Sequence, residues 1–168
     1  MKVNLLNLML LLTVIFTMNS CSSDSSEEIT ANSTSSLIVE NYSYSEDELE
    51  TMKLINEYRV SIGLNPLEKI NHISYKSEEH DYYMIDKKVP SHDGFVERSN
   101  NIMKLLDAKT VGENVAYNYN NAQGAVTAWL NSPAHKKNIE GNYTHFGISI
   151  RKNADGKKYY TNIFARID

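Results

Sequence analysis

Three histidines and one glutamate stand where chemistry is commonly carried: His92, Glu113, His135 and His145 each lie in a loop or at the end of an element, beside Gly, Ser or Pro. Imidazole with a neighbouring carboxylate suits a divalent transition metal such as zinc, and it suits general acid–base work equally well. The residue types leave both open. No two of the four are spaced as His-x-x-x-His, so a shared site has to be assembled from distant parts of the chain. His72, at the expected start of a helix, reads as solvated, and Tyr75, Tyr82, Tyr83 and Tyr117 read as core and rim.

Periodicity and punctuation predict the elements that must position these residues. Ser45 as N-cap, Glu46, Asp47 and Glu48 in the first turn, and Leu49, Met52, Ile55, Tyr58 and Ile62 at spacings of three or four predict a helix that Gly63 ends. A second helix runs from about Asn71 to Lys87 and stops before Pro90, followed by the loop Ser91-His92-Asp93-Gly94 and a short helix from Val96 to Leu106. Val111 to Tyr117 alternates with period two, as a short strand does. Ala122 to Leu130 is helical, and Ser132-Pro133 opens a further helical turn that carries His135, Asn138 and Ile139. Thr144 to Ile150 and Tyr159 to Ile167 read as a hairpin turning at Asp155-Gly156. On its first strand Phe146, Ile148 and Ile150 share one face, which leaves His145, Gly147 and Ser149 on the other.

Taken in order, several phrases resemble one family. Leu54-Ile-Asn-Glu-Tyr-Arg59, His80 with Met84, Ser91-His92, Gly112-Glu113-Asn114-Val115-Ala116, Trp129 through Pro133 and His135 to Asn138-Ile139, and Thr144-His145-Phe146-Gly147 are similar to the CAP superfamily of cysteine-rich secretory proteins, antigen five and pathogenesis-related proteins, in its disulfide-free bacterial branch. The resemblance covers residues 46–168 and implies an α/β fold, a three-layer α-β-α sandwich with a central, mostly antiparallel sheet. It further implies a cleft in which His92, Glu113 and His135 hold a divalent metal, zinc before others, or act as catalytic residues, with His80, Asn114, Asn138 and His145 supporting them from behind. The acid that many eukaryotic relatives carry soon after the tryptophan is missing, since Leu130, Asn131, Ser132 and Pro133 follow Trp129. The ligand set is then open, with Asn131 or Ser132 available to orient a water.

The N-terminal end indicates where such a domain works. Lys2 precedes an apolar run from Leu5 to Phe16, shorter than the roughly 20 residues a spanning helix needs, so residues 1–20 read as a signal peptide. Cys21 is the only cysteine, which excludes an intramolecular disulfide, and its place directly after the run resembles a lipobox whose thiol is acylated. Residues 21–45, rich in Ser, Thr, Asn and Glu, read as a flexible tether, and Asp24 to Glu28 are similar to the surface-export signals of some Gram-negative lipoproteins. The expected location is the cell envelope outside the cytoplasm, at the outer membrane or cell surface, with the membrane as partner through the lipid anchor. A net charge of −4 without a basic cluster argues against nucleic acid as a partner.

Two functions compete, beside a purely structural role in the envelope. One is a binding module whose cleft takes a metal, or a small lipid-like, glycan or protein ligand. The other is a metal-assisted hydrolase acting through activated water, because Cys21 is committed to the anchor and no Ser stands in a Gly-x-Ser-x-Gly setting.

Overall fold

The computed structural model describes residues 37–168. The signal peptide, Cys21 and most of the expected tether lie outside the described residues. Helix α1 (Glu46–Ser61) begins at a full capping box: the Ser45 hydroxyl accepts from the Glu48 N–H at 3.3 Å, and the Glu48 carboxylate accepts from the Ser45 N–H at 2.7 Å. The two-residue strand β1 (Glu68–Lys69) leads into α2 (Asn71–Lys87), which Lys88 terminates in the left-handed region at φ 59°. Then follow α3 (Phe95–Leu106), β2 (Thr110–Tyr117), α4 (Ala122–Asn131), α5 (Pro133–Ile139), β3 (His145–Lys152) and β4 (Lys158–Arg166). Gly156, at φ 76°, turns the β3–β4 hairpin, while the Asn153 side chain accepts from the N–H groups of Asp155 and Lys157.

The sheet runs β1-β3-β4-β2, antiparallel except where β1 lies parallel to β3. Strand alternation sends its side chains into two separate cores. On one face Phe146, Ile148 and Ile150 of β3 and Tyr160 and Phe164 of β4 pack with Met52 and Ile55 of α1, Val126 and Trp129 of α4, and Ile139 of α5. On the other, Ile163 and Ala165 meet Ile73 of α2 and Ile102 of α3. This is the α-β-α sandwich, with α2 and α3 in one layer and α1, α4 and α5 in the other. Gly147 allows α2 to lie directly on the sheet: a Cβ there would stand 2.6 Å from the Ile73 carbonyl carbon and would also meet the Ser74 nitrogen.

Two expectations are corrected. The stretch before residue 46 is not all tether, because residues 37–45 lie against the domain. Tyr44 donates to Asn71 at 3.0 Å, Tyr42 donates to Glu48 at 3.0 Å, and the Val39 N–H donates to His72 Nδ1 at 3.2 Å. Composition averaged over the stretch hides that these tyrosines supply both ring area and a hydroxyl that finds a partner. The same packing explains why His72 is buried rather than solvated: its Nδ1 accepts from Val39, and its Nε2–H therefore donates to Asn101 Oδ1 at 2.8 Å. Among the described residues no helix is long and apolar enough to cross a membrane.

Candidate functional site

Strand β2 is an edge strand, and consecutive residues of its Gly112-Glu113-Asn114 phrase point into opposite layers. Glu113 turns toward α2 and α3. Its carboxylate, 1% exposed, accepts from His92 Nδ1 at 2.8 Å and from the Arg98 guanidinium at both oxygens, Nε to Oε2 at 3.0 Å and Nη2 to Oε1 at 3.0 Å. A carboxylate can only accept, so Nδ1 of His92 carries the proton, and in the neutral imidazole Nε2 is left as an acceptor. Burial pushes the Glu113 carboxyl upward, but the hydrogen bond from His92 and the charge of Arg98 outweigh it and hold the group below its ordinary value. The His92 loop is itself pinned: His80 Nε2 donates to the Ser91 carbonyl at 2.7 Å and Arg98 Nη1 to the Asp93 carbonyl at 2.7 Å.

Asn114 turns the other way, toward α5. Its side-chain NH₂ donates to the His135 carbonyl at 3.0 Å, and Asn138 Nδ2 donates to both Asn114 Oδ1 and the Glu113 carbonyl at 2.9 Å. Trp129 Nε1 donates to the Val115 carbonyl at 3.0 Å. The outward carbonyls of an edge strand would otherwise invite a foreign strand; here they fasten α4 and α5 instead. The far end of α5 is held by the buried Arg59, which donates to the carbonyls of Ile139 at 2.6 Å and Gly141 at 2.9 Å.

His92 and His135 thus reach the same edge from opposite layers, close enough for the charge of one to be felt by the other. Burial first, and then the His92 charge, lower the His135 pKa below its ordinary value, so His135 is neutral at pH 7. Beside it opens a cleft of about 320 Å³ lined by Pro90, Tyr117, Tyr119, Trp129, Ser132 and His135, among others.

The sequence-predicted residues separate into those the fold gathers and one it does not. His92, Glu113, His135, Asn114, Asn138 and His80 surround β2. His145 does not join them: its Nδ1 is hydrogen-bonded to the Thr144 hydroxyl at 2.8 Å, and its Nε2 lies 3.9 Å from Glu68. Its strand is separated from β2 by β4, and it shares a face with Gly147 rather than with α5, so it cannot support His135. Arg98 was missed. The signal was present: four residues before Ile102, it falls on the buried face of α3, and an arginine there calls for a buried acid.

The implied metal can be tested against this donor set. Both oxygens of Glu113 are committed to a guanidinium, and among the described residues no group of three His, Cys, Asp or Glu side chains is arranged to hold a metal ion. His92, Glu113 and His135 as three ligands of one cation do not fit these side chains.

Residues 52–164 match the model of the Cysteine-rich secretory protein family, CAP. The chain belongs to that family. It is 31% identical over 128 residues to YlbC of Bacillus subtilis, called an uncharacterized membrane protein, with 71% of this chain and 34% of that protein covered. It is also 33% identical over 105 residues to the uncharacterized YkwD of the same organism, covering 60% of this chain and 41% of that one. The chain therefore spans between a third and two fifths of the curated relatives it matches. Among solved structures, an outer surface protein of Borrelia burgdorferi superposes with a TM-score of 0.65 at 20% identity, over 77% of this chain and all of that one. An extracellular protein containing an SCP domain from Bacillus anthracis gives 0.61 at 25% identity, over 71% of this chain and 40% of that one.

Proposed function

We propose that this CAP domain is an extracytoplasmic binding module, held at the envelope through an acylated Cys21, whose cleft takes up a small ligand with one apolar or sugar-like face. The observation that carries the reading is the cleft beside β2, where Tyr117 and Tyr119 stand with Pro90 over the buried Trp129 and His135 supplies a neutral imidazole. Aromatic walls with few polar groups suit apolar ligands and the flat faces of sugar rings. Beside the cleft, Glu113 fixes the His92 Nδ1–H and leaves Nε2 as the free edge of that ring. The relatives described as an outer surface protein and as an extracellular protein support the location, and the place of Cys21 after the apolar run supports the anchor.

A metal-assisted hydrolase would need Glu113 as metal ligand or His92 or Glu113 as general base; Arg98 already holds both Glu113 oxygens and Glu113 already holds the His92 Nδ1–H, so binding is the reading taken. Trp129 is the single tryptophan and lines the cleft, so its fluorescence reports on occupancy. Titration with long-chain fatty acids and with cell-wall oligosaccharides should shift its emission for one class, and Tyr119→Ala together with His135→Ala should abolish the shift. Silence across both classes at millimolar concentration refutes the binding role. Cys21→Ser should move the protein from the membrane to the soluble fraction; continued membrane retention refutes the anchor.

A further inference from the structure

We infer that Arg98 is a built-in cation that occupies the place on Glu113 a divalent metal would need, so that this buried carboxylate is no metal ligand and becomes one only when the guanidinium is removed. The inference is independent of which ligand the aromatic cleft takes. Three observations carry it. The Arg98 guanidinium is bidentate on Glu113, with Nε to Oε2 at 3.0 Å and Nη2 to Oε1 at 3.0 Å and to Oε2 at 2.8 Å. The pair is enclosed, with side-chain exposures of 10% and 1%, so solvent does not loosen it. The guanidinium is also tethered from behind, because Nη1 donates to the Asp93 carbonyl at 2.7 Å.

A metal competing for Glu113 must therefore displace a fixed, charge-matched and hydrogen-bonded group, leaving a guanidinium buried beside a dication. The planar fork of arginine satisfies a carboxylate at both oxygens and cannot be deprotonated out of the way. In this chain the resident cation performs what a bound ion would do electrostatically: it neutralises Glu113 and holds it in position for His92. His92 still has its Nε2 and His80 its buried Nδ1 without a protein partner, whereas Asn114 and Asn138 spend their amides on α5 and β2.

The test is zinc titration by calorimetry of the full chain and of Arg98→Met, Arg98→Met with Glu113→Gln, and Glu113→Gln. Glu113→Gln, which keeps an acceptor oxygen for the His92 Nδ1–H, should still bind zinc, weakened by no more than about tenfold. Arg98→Met should bind zinc more tightly by about tenfold or more, and the added Glu113→Gln should cancel the gain. Abolition of zinc binding on Glu113→Gln overturns the inference, as does an Arg98→Met protein that gains nothing. Should the variants fail to fold, wild type alone decides: the Glu113 side-chain carboxyl ¹³C resonance should stay in place through a zinc titration. Movement of that resonance to a saturated, metal-bound position overturns the proposal.

Discussion

Glu113→Gln isolates what the buried carboxylate contributes to the stability of the domain. The glutamine keeps one carbonyl oxygen but turns the other acceptor into an NH₂ facing the N–H donors of His92 and Arg98. It also leaves the Arg98 charge without a counter-ion at a side chain only 10% exposed. Removing one partner of a buried ion pair costs about 3–5 kcal/mol. Arg98 retains the Asp93 carbonyl and slight solvent contact, which places the expected loss near the lower end, about 3 kcal/mol. Urea unfolding at pH 7 measures it. Arg98→Met should cost a similar amount, and the double variant clearly less than the sum, because no charge is then left buried alone. The pH dependence fixes the sign. The folded Glu113 carboxyl lies below its ordinary value of 4.5, so its stabilisation is present above that value and is lost as pH falls through the folded one. The gap between wild type and Glu113→Gln should therefore close in strong acid, as pH falls through the folded Glu113 value. A gap under about 1 kcal/mol at pH 7, additivity of the two single variants, or a gap that persists undiminished in strong acid would refute the electrostatic account.

Two further outcomes follow from the packing of α2. Gly147→Ala should destabilise by about 2–3 kcal/mol or more in the same urea assay, because the new Cβ meets the backbone of Ile73 and Ser74 rather than a movable side chain; unchanged stability would show that α2 does not rest on this strand. Asp81 is fully buried and accepts from the Thr161 hydroxyl at 2.7 Å. Burial raises its carboxyl well above 3.8, so its contribution is intact below that value and is lost as pH rises through the folded one. Asp81→Asn should accordingly raise the urea midpoint at pH 8 and not at pH 3.5, and an equal effect at both would exclude a protonation cost at this residue.

The helices and strands were legible because each carries its own signal. Ser45 with Glu48 marks a helix start, Asp155-Gly156 a hairpin, and the alternation of Val111 to Tyr117 a strand. The order of the family phrases gave the layers and gathered His92, Glu113 and His135 around one region. Local pattern also stated that Arg98 and His72 fall on helices, but not what they meet. Arg98 finds Glu113 fifteen residues on, and His72 is covered by a segment whose composition reads as tether. His145 shows the same limit: its face was readable, its distance from β2 was not, because strand order is set by pairing across the chain.

Periodicity therefore determined where the helices and strands lie and the buried face of the β3–β4 hairpin, since a strand imposes its repeat wherever it lies, but not the burial of Glu48 or His72. Tertiary structure alone decided which buried charges face one another, and so that the Glu113 carboxylate is held by an arginine. Burial obliges a charge to find a partner, while the choice of partner depends on how α3 crosses β2.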